Sequence, residues 1–216
     1  MRLHLPALLL AIGALALGAT ACGSDDDSGP AAAAPEPVAQ VDQLSGRSTA
    51  VTLDSGFVGA LQQLRLTPAP LGDASISRAG VASFPITGGN VTYYKPGSVS
   101  PYVQGEVDHD GSGLSLTGGG KTVELTDFVV DPGKSVLTGT VSVDGKVAAE
   151  SAPLFFLDGR TLNPLEVNDN GTAVLEGTTV KLKAEAAQLL NKTFSVDALN
   201  EGLVVGVAKI TINTQA

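Results

Sequence analysis

The sequence predicts a mainly β protein: an antiparallel β-sandwich-like domain with two or three short helices. Three features predict this fold. Thr, Val and Gly are abundant after about residue 47, several segments alternate apolar and polar residues with a period of two, and Asx-Gly pairs separate these segments. The length of 216 residues suits one globular domain rather than several.

The strands are predicted from alternation and from turn residues. Residues 137–143 place Leu and Val on one face and mainly Thr and Ser on the other, and the pair Asp144-Gly145 then favours a type I′ turn that starts a hairpin. Residues 179–183 alternate in the same way. Residues 203–212 are apolar on both faces apart from Lys209, which is typical of a central strand.

Two short helices are predicted between the strands. One begins near Ser55 and the other covers residues 184–191, and both have apolar side chains at the spacing of an amphipathic helix. Ser195 stands where it would cap a third short turn, which Gly202 would end.

The first residues predict export and lipid anchoring. An apolar run at residues 8–17 is too short for a permanent membrane span, and small residues lead from it to Cys22, the single cysteine. Residues 19–22 resemble a bacterial lipobox, which implies a signal peptide at residues 1–21, cleavage before Cys22 and lipidation of its sulfur. The alternative is an ordinary secretory cleavage site that leaves a free thiol. Because two acyl chains anchor a protein stably, we expect an extracytoplasmic, membrane-anchored lipoprotein.

Residues 22–46 are predicted to form a flexible tether between the lipidated cysteine and the domain. The segment contains three consecutive Asp residues, four consecutive Ala residues and several Pro residues. Such a composition buries too little apolar surface to offset the entropy of ordering. The β domain is accordingly predicted to span residues 47–216.

Composition and missing motifs argue against several function classes. Thirteen Lys and Arg residues against 22 Asp and Glu residues give a net charge of −9, so we expect no nucleic-acid partner. Residues 118–122 lack the first Gly of a phosphate loop, and the chain has no G-x-S-x-G elbow, so we expect no enzyme. The Asp- and Asn-rich segments 106–111 and 166–171 lack the bidentate carboxylate of a calcium loop, so no metal site is predicted.

The segment around His109 contains the one histidine that remains after signal removal. Alternation over residues 103–109 places His109 on the apolar face. The pair Asp110-Gly111 predicts a two-residue hairpin turn, with His109 opposite Ser112. Two interpretations stay open: the ring hydrogen-bonds a backbone carbonyl and closes the core, or it acts as a ligand or a gate residue.

The His-Asp-Gly turn and alternating leucines of residues 105–116 resemble the HtaA-type domain of actinobacterial haem-uptake proteins. Further likeness lies in residues 123–127, 137–139 and 182–187. The resemblance implies a β-rich extracytoplasmic domain that binds haem through a tyrosine, with a histidine supporting it. His109 matches the family's histidine, and Leu64 stands at the position of its ligating tyrosine.

Tyr93, Tyr94 and Tyr102 are the other candidate ligands, since Tyr and His both ligate haem iron. The alternative is that the adjacent tyrosines are half-buried surface packing. We therefore expect a cell-surface lipoprotein whose HtaA-like domain binds haem or another hydrophobic ligand. The competing expectation is a structural or adhesion module of the cell envelope that contacts a protein or a glycan.

Overall fold

The computed structural model describes residues 34–214. The predicted signal peptide, Cys22 and residues 22–33 of the predicted tether lie outside this part of the chain. None of the helices within residues 34–214 is long and apolar enough to cross a membrane.

Thirteen strands in the described residues form one sheet through antiparallel pairing. The strands are β1 (Pro37–Val41), β2 (Arg47–Leu53), β3 (Thr67–Gly72), β4 (Ser75–Ile76), β5 (Val81–Pro85), β6 (Gly88–Tyr94), β7 (Val103–Gly118), β8 (Lys121–Asp131), β9 (Val136–Val143), β10 (Lys146–Asp158), β11 (Glu166–Asn168), β12 (Thr172–Leu182) and β13 (Val204–Asn213). Their order in the sheet is β1-β6-β7-β8-β9-β10-β12-β13-β2-β5-β4, while β3 pairs with β7 and β11 with β12.

The strongest strand predictions are confirmed. β13 lies between β12 and β2, as expected for residues 203–212. β9 and β10 form the predicted hairpin, and Asp144 and Gly145 have φ values of 50° and 76°. Positive φ at both central residues is what a type I′ turn requires, and few residue pairs other than Asx-Gly adopt it without strain.

The sheet folds over on itself, so that two parts of it face each other. β5 continues into β6 through Ile86 and Thr87, yet β5 pairs with β2 while β6 pairs with β7. The Phe84 ring of β5 packs edge-to-face on the Phe128 ring of β8 with 5.3 Å between centroids, although five strands separate β5 from β8 in the sheet order. The predicted mainly β, sandwich-like class is confirmed, and the facing layers belong to one continuous sheet.

Two α-helices cover the sheet, α1 (Ser55–Gln63) and α2 (Ala184–Phe194). Asp54 caps α1, because its Oδ1 accepts hydrogen bonds from the backbone N–H groups of Gly56 at 2.8 Å and Phe57 at 3.2 Å. On α2, three buried side chains form the face packed on the sheet: Ala186, Ala187 and Leu190. Both helices are thus held by an apolar face, as their periodicity predicted.

The third predicted turn is wrong. Ser195 does not begin a helix; it ends α2 in the left-handed conformation, with a φ of 55°. The ending is local, because the N–H of Ser195 bonds the Asn191 carbonyl within the last turn of the helix. One 3₁₀ turn among the described residues lies elsewhere, at Gly159–Thr161.

The tether prediction is wrong for residues 37–46. Strand β1 pairs with β6 from Pro37 opposite Tyr94 to Val41 opposite Val91. Leu44 is only 2% exposed. The edge of β6 and the pocket that receives Leu44 stabilise a segment whose own composition favours disorder. The compact unit that contains the β domain begins at Pro35 rather than at residue 47.

The predicted hairpin turn at Asp110-Gly111 is also wrong. β7 runs through these residues as one strand of 16 residues. Its first half pairs with β6, its second half pairs with β3, and β8 pairs with both halves. His109 is therefore opposite Phe128 of β8 and not opposite Ser112.

A β-bulge takes the place of that turn. Residues 110–112 of β7 face the single residue Asp127 of β8, and Gly111 has a φ of 71°. The Gly111 N–H donates to the Asp127 carboxylate at 3.0 Å. A Gly with positive φ suits a bulge as well as a tight turn, so the strands on both sides of β7 decide between them.

Candidate functional site

The His109 ring is enclosed between the facing parts of the sheet. His109 is 1% exposed and shares its inward face with Val103 and Val107, which confirms the predicted phase of the strand. Its Nδ1 lies 3.1 Å from the Phe128 carbonyl oxygen, and its Nε2 lies 2.8 Å from the Thr49 hydroxyl. Both ring nitrogens are therefore engaged by the protein.

These two hydrogen bonds assign the tautomer of His109. A carbonyl oxygen only accepts, so Nδ1 carries the proton and donates to Phe128, and Nε2 accepts from the Thr49 hydroxyl. Burial lowers the pKa of His109 below its ordinary value of 6.5, outweighing the opposing effect of the hydrogen bond to Phe128. A neutral ring with no spare lone pair favours the interpretation that His109 closes the core.

We expect the domain to lose stability as the pH falls below about 6.5, the ordinary pKa of histidine. The folded pKa of His109 is lower than the unfolded one, so between these values the unfolded state binds more protons. The free energy of unfolding then decreases on acidification by at most about 1.4 kcal/mol per pH unit. Denaturant titrations between about pH 5 and 7.5 measure this slope. His109→Asn has no titrating ring and should flatten the slope, whereas an unchanged slope in this variant would refute the assignment.

A cavity of about 750 Å³ lies inside the folded sheet. Its wall combines strands from both facing parts with β1 and β11. Most of the wall is apolar, and representative residues are Val41, Val91, Leu137, Leu175, Val180 and Ile210. Thr49 lies on this wall and His109 does not, so the His109 ring is linked to the cavity wall through its hydrogen bond with the Thr49 hydroxyl.

Two of the three candidate tyrosines reach the cavity. Tyr93 on β6 and Tyr102 just before β7 both line it, and their rings pack edge-to-face with 5.6 Å between centroids. Burial raises the pKa of Tyr102 above its ordinary value, and the neighbouring Tyr93 adds to this effect. The phenol of Tyr102 is thus protonated at neutral pH, and Tyr102 lines the cavity.

The structure separates the other candidates from this pair. Tyr94 follows Tyr93 directly and lies on the opposite face of β6, off the cavity wall. Leu64, at the end of α1, packs against the core and is not on the wall either. No group of three or more His, Cys, Asp or Glu side chains within residues 34–214 is arranged to hold a metal ion.

A charged cluster adjoins the cavity where β10 ends. Asp158 and Arg160 both line the cavity. The Asp158 Oδ2 accepts from the Arg160 Nη2 at 2.6 Å and from the Lys181 Nζ at 2.8 Å, while its Oδ1 accepts from the Arg160 Nε at 2.8 Å. The hydrogen bonds from Arg160 and then Lys181 hold the pKa of the Asp158 carboxyl well below its usual range, so the carboxylate is charged.

The sequence predictions did not include Thr49 or the charged cluster. Thr49 is one of many threonines on the strands, and its partner is 60 residues away. Lys181 meets Asp158 from the neighbouring strand β12, again through a distant pairing. The usable local pattern was Asp158-Gly159-Arg160 at the end of an apolar strand, which places two opposite charges on one turn.

Comparison with known proteins agrees with the predicted fold. Neither a protein-family model nor a curated protein matches the chain. Among solved structures, the chain is similar to the C-terminal domain of HtaA from Corynebacterium glutamicum, with 13% identity, a TM-score of 0.55, and coverage of 79% of this chain and 98% of that one. A domain-swapped dimer of a variant of the same domain also matches, with 12% identity, a TM-score of 0.45, and coverage of 74% and 90%. The first likeness confirms the HtaA-type fold.

Proposed function

We propose that this protein is a non-enzymatic surface lipoprotein whose domain binds a hydrophobic ligand of about the size of haem, in haem or iron uptake. The observation that carries this proposal is the cavity of about 750 Å³ with its largely apolar wall. Ligand pockets of about 300–1,000 Å³ with few polar groups are typical of small-molecule and cofactor sites. The fold likeness to the HtaA domain makes haem the first ligand to test.

The donor set on the cavity wall fits haem through tyrosine rather than histidine. His109 is occupied on both nitrogens and lies off the wall. Tyr93 and Tyr102 lie on the wall, and phenolate oxygen is a known ligand of haem iron. Within the described residues, neither phenol makes a side-chain hydrogen bond that iron would have to break. Tyr93 or Tyr102 would hold the metal, and haem would supply a ferric ion as its partner.

We expect haemin titration of the purified domain to give a saturable Soret band. Ile210→Trp should abolish it, because the larger side chain fills the wall of the cavity. Val207→Trp is the matched control: Val207 is on the same strand, 42% exposed and off the cavity wall. Tyr93→Phe and Tyr102→Phe should identify the iron ligand by a shift or loss of the band, and His109→Asn should keep it.

Three results would count against this function or against haem as the ligand. A wild-type domain without a spectral response to haemin, and without uptake of an apolar fluorescent probe, would refute ligand binding and favour the structural or adhesion module. A Soret band that survives Ile210→Trp unchanged would place the ligand outside the cavity. A domain that binds the apolar probe in the cavity but does not bind haemin would support a hydrophobic ligand and exclude haem as that ligand.

The second part of the proposal concerns the anchor at Cys22. We expect the full chain to partition with membranes and Cys22→Ala to appear in the soluble fraction, because the substitution removes the acceptor of the acyl chains. Fractionation with detection of the domain measures this. Ser24→Ala, two residues away, is the control that should remain with membranes. A Cys22→Ala protein that still fractionates with membranes would overturn the lipoprotein assignment.

A further inference from the structure

We infer that the ligand of the cavity is an amphiphile whose carboxylate is bound by Arg160. This inference rests on the proposed function, since it assigns the chemistry of the ligand that enters the same cavity. It goes further by naming a second, polar subsite next to the apolar wall.

The charged cluster beside the cavity has a net positive charge. One carboxylate, Asp158, is shared by two cations at 2.6 and 2.8 Å, so the three side chains have a formal charge of +1. The chain as a whole has a charge of −9. A local excess of positive charge in an acidic protein is suited to a ligand that is itself an anion.

Arg160 has hydrogen-bond donors that no protein group within the described residues uses. Within the described residues, Asp158 takes the Nε and Nη2 of Arg160, and the Arg160 Nη1 has no protein partner. Lys181 bonds the same carboxylate but is not on the cavity wall, so it offsets the charge of Asp158 and leaves Arg160 as the donor to the ligand. Arg160 is 83% exposed, so its outward edge is accessible to a ligand at the cavity. The free edge of a guanidinium matches the two oxygens of a carboxylate.

The cavity wall combines a large apolar surface with one charged region. Apart from the tyrosines, Asp158 and Arg160 are the ionisable residues among the described residues that line it. An apolar ligand without a charge would leave this cluster unmatched, and a small polar anion would leave the apolar wall unfilled. An amphiphile satisfies both parts. A long-chain fatty acid and the propionates of a porphyrin share this chemistry.

The test compares each acid with its ester. Palmitic acid against methyl palmitate, and haemin against its dimethyl ester, are titrated into the wild-type domain at low ionic strength. We expect each acid to bind roughly three- to tenfold more tightly than its ester, because an exposed charge pair contributes little and a hydrogen bond to a charged group somewhat more. The preference should weaken as salt is added. The pair of ligands that binds identifies which source of the carboxylate fits the cavity.

Three variants locate the subsite. Arg160→Gln should reduce the preference for the acid towards one, while the affinity for the ester stays unchanged. Lys181→Gln should reduce the preference less, because Lys181 acts only by offsetting the charge of Asp158. Lys209→Gln is the matched control, because Lys209 is a half-exposed lysine paired with Glu176 at 3.1 Å. Thermal melting confirms that each variant is folded before the affinities are compared.

The results distinguish failure of the carboxylate subsite from failure of the apolar cavity site. Equal affinity for acid and ester in the wild-type domain would overturn the inference and leave the apolar cavity site intact. A preference for the acid that survives Arg160→Gln would also overturn it. Absence of binding by all four ligands would refute the inference and these ligand classes together, whereas the cavity itself is judged separately by the apolar fluorescent probe.

Discussion

His109→Ala is expected to lower the free energy of unfolding by about 3 kcal/mol. The substitution removes a fully enclosed ring and leaves a void beside Phe84 and Phe128. It also leaves two hydrogen-bonding groups without their partner, the Phe128 carbonyl and the Thr49 hydroxyl. Truncating a buried side chain costs about 2–5 kcal/mol, and a buried unsatisfied polar group costs about 1–3 kcal/mol. Urea denaturation at pH 7.5, where the ring is neutral, measures the effect.

Substitutions at Thr49 separate the hydrogen bond from the packing. Thr49→Val keeps the shape and removes the hydroxyl, so Nε2 of His109 loses its donor and stability should fall by about 1–3 kcal/mol. Thr49→Ser keeps the hydroxyl and should cost less. In a double-mutant cycle, Thr49→Val should be nearly neutral in the His109→Ala background. Additive effects of the two substitutions would show that the pair does not interact.

Gly206→Ala is expected to destabilise the domain by about 3 kcal/mol. Gly206 lies on β13, and a Cβ there would meet the Thr52 carbonyl oxygen at 2.3 Å and the Val51 Cγ1 at 2.8 Å. The closest of these atoms is backbone in a paired strand, so relief requires the backbone of β2 or β13 to shift. Overpacking costs typically 1–3 kcal/mol, and more where the backbone must move.

Gly59→Ala is the control for this substitution. Gly59 lies in α1, and a Cβ there would meet no atom within 4 Å. The same chemical change should therefore stabilise the domain by about 0.5–1 kcal/mol, because Ala favours the helix. Equal losses of stability in both variants would show that the effect at Gly206 is not a steric one.

Two Asx-Gly pairs show how far local sequence determines this fold. Asp144-Gly145 forms the predicted turn because β9 and β10 pair with each other along their facing edges. Other strands pair only with their outer edges, for example β8 with β9. Asp110-Gly111 has the same local preference for positive φ, but β3 and β6 pair with one edge of β7 and β8 with the other. The pairing of whole strands then outweighs the turn preference, and the pair forms a bulge. Such pairing depends on residues that are distant in the sequence, so local patterns do not contain it.

Local sequence also predicts only part of the candidate site. Alternation correctly placed His109 on the inward face, because period two survives up to the bulge. Among the tyrosines, the alternation of β6 decides that Tyr93 faces the cavity and Tyr94 does not. The strand boundary that sets this phase follows from pairing with β1 and β7, and β1 was predicted to be part of a tether. The cavity wall joins residues from ten or more segments, and periodicity within one segment does not predict such a surface.

The position of β13 constrains the order in which the chain can fold. β13 is the last strand, and it joins β2, one of the first, to β12 through pairs that run from Gly206 opposite Leu53 to Ile212 opposite Arg47. β2 and β5 therefore cannot become part of the main sheet until the final ten-residue strand is present. Closure of so long a loop is entropically costly and slows folding. Folding of this domain is accordingly completed only after β13 has been synthesised, and a chain that stops before β13 would lack the strand that links the two halves of the sheet.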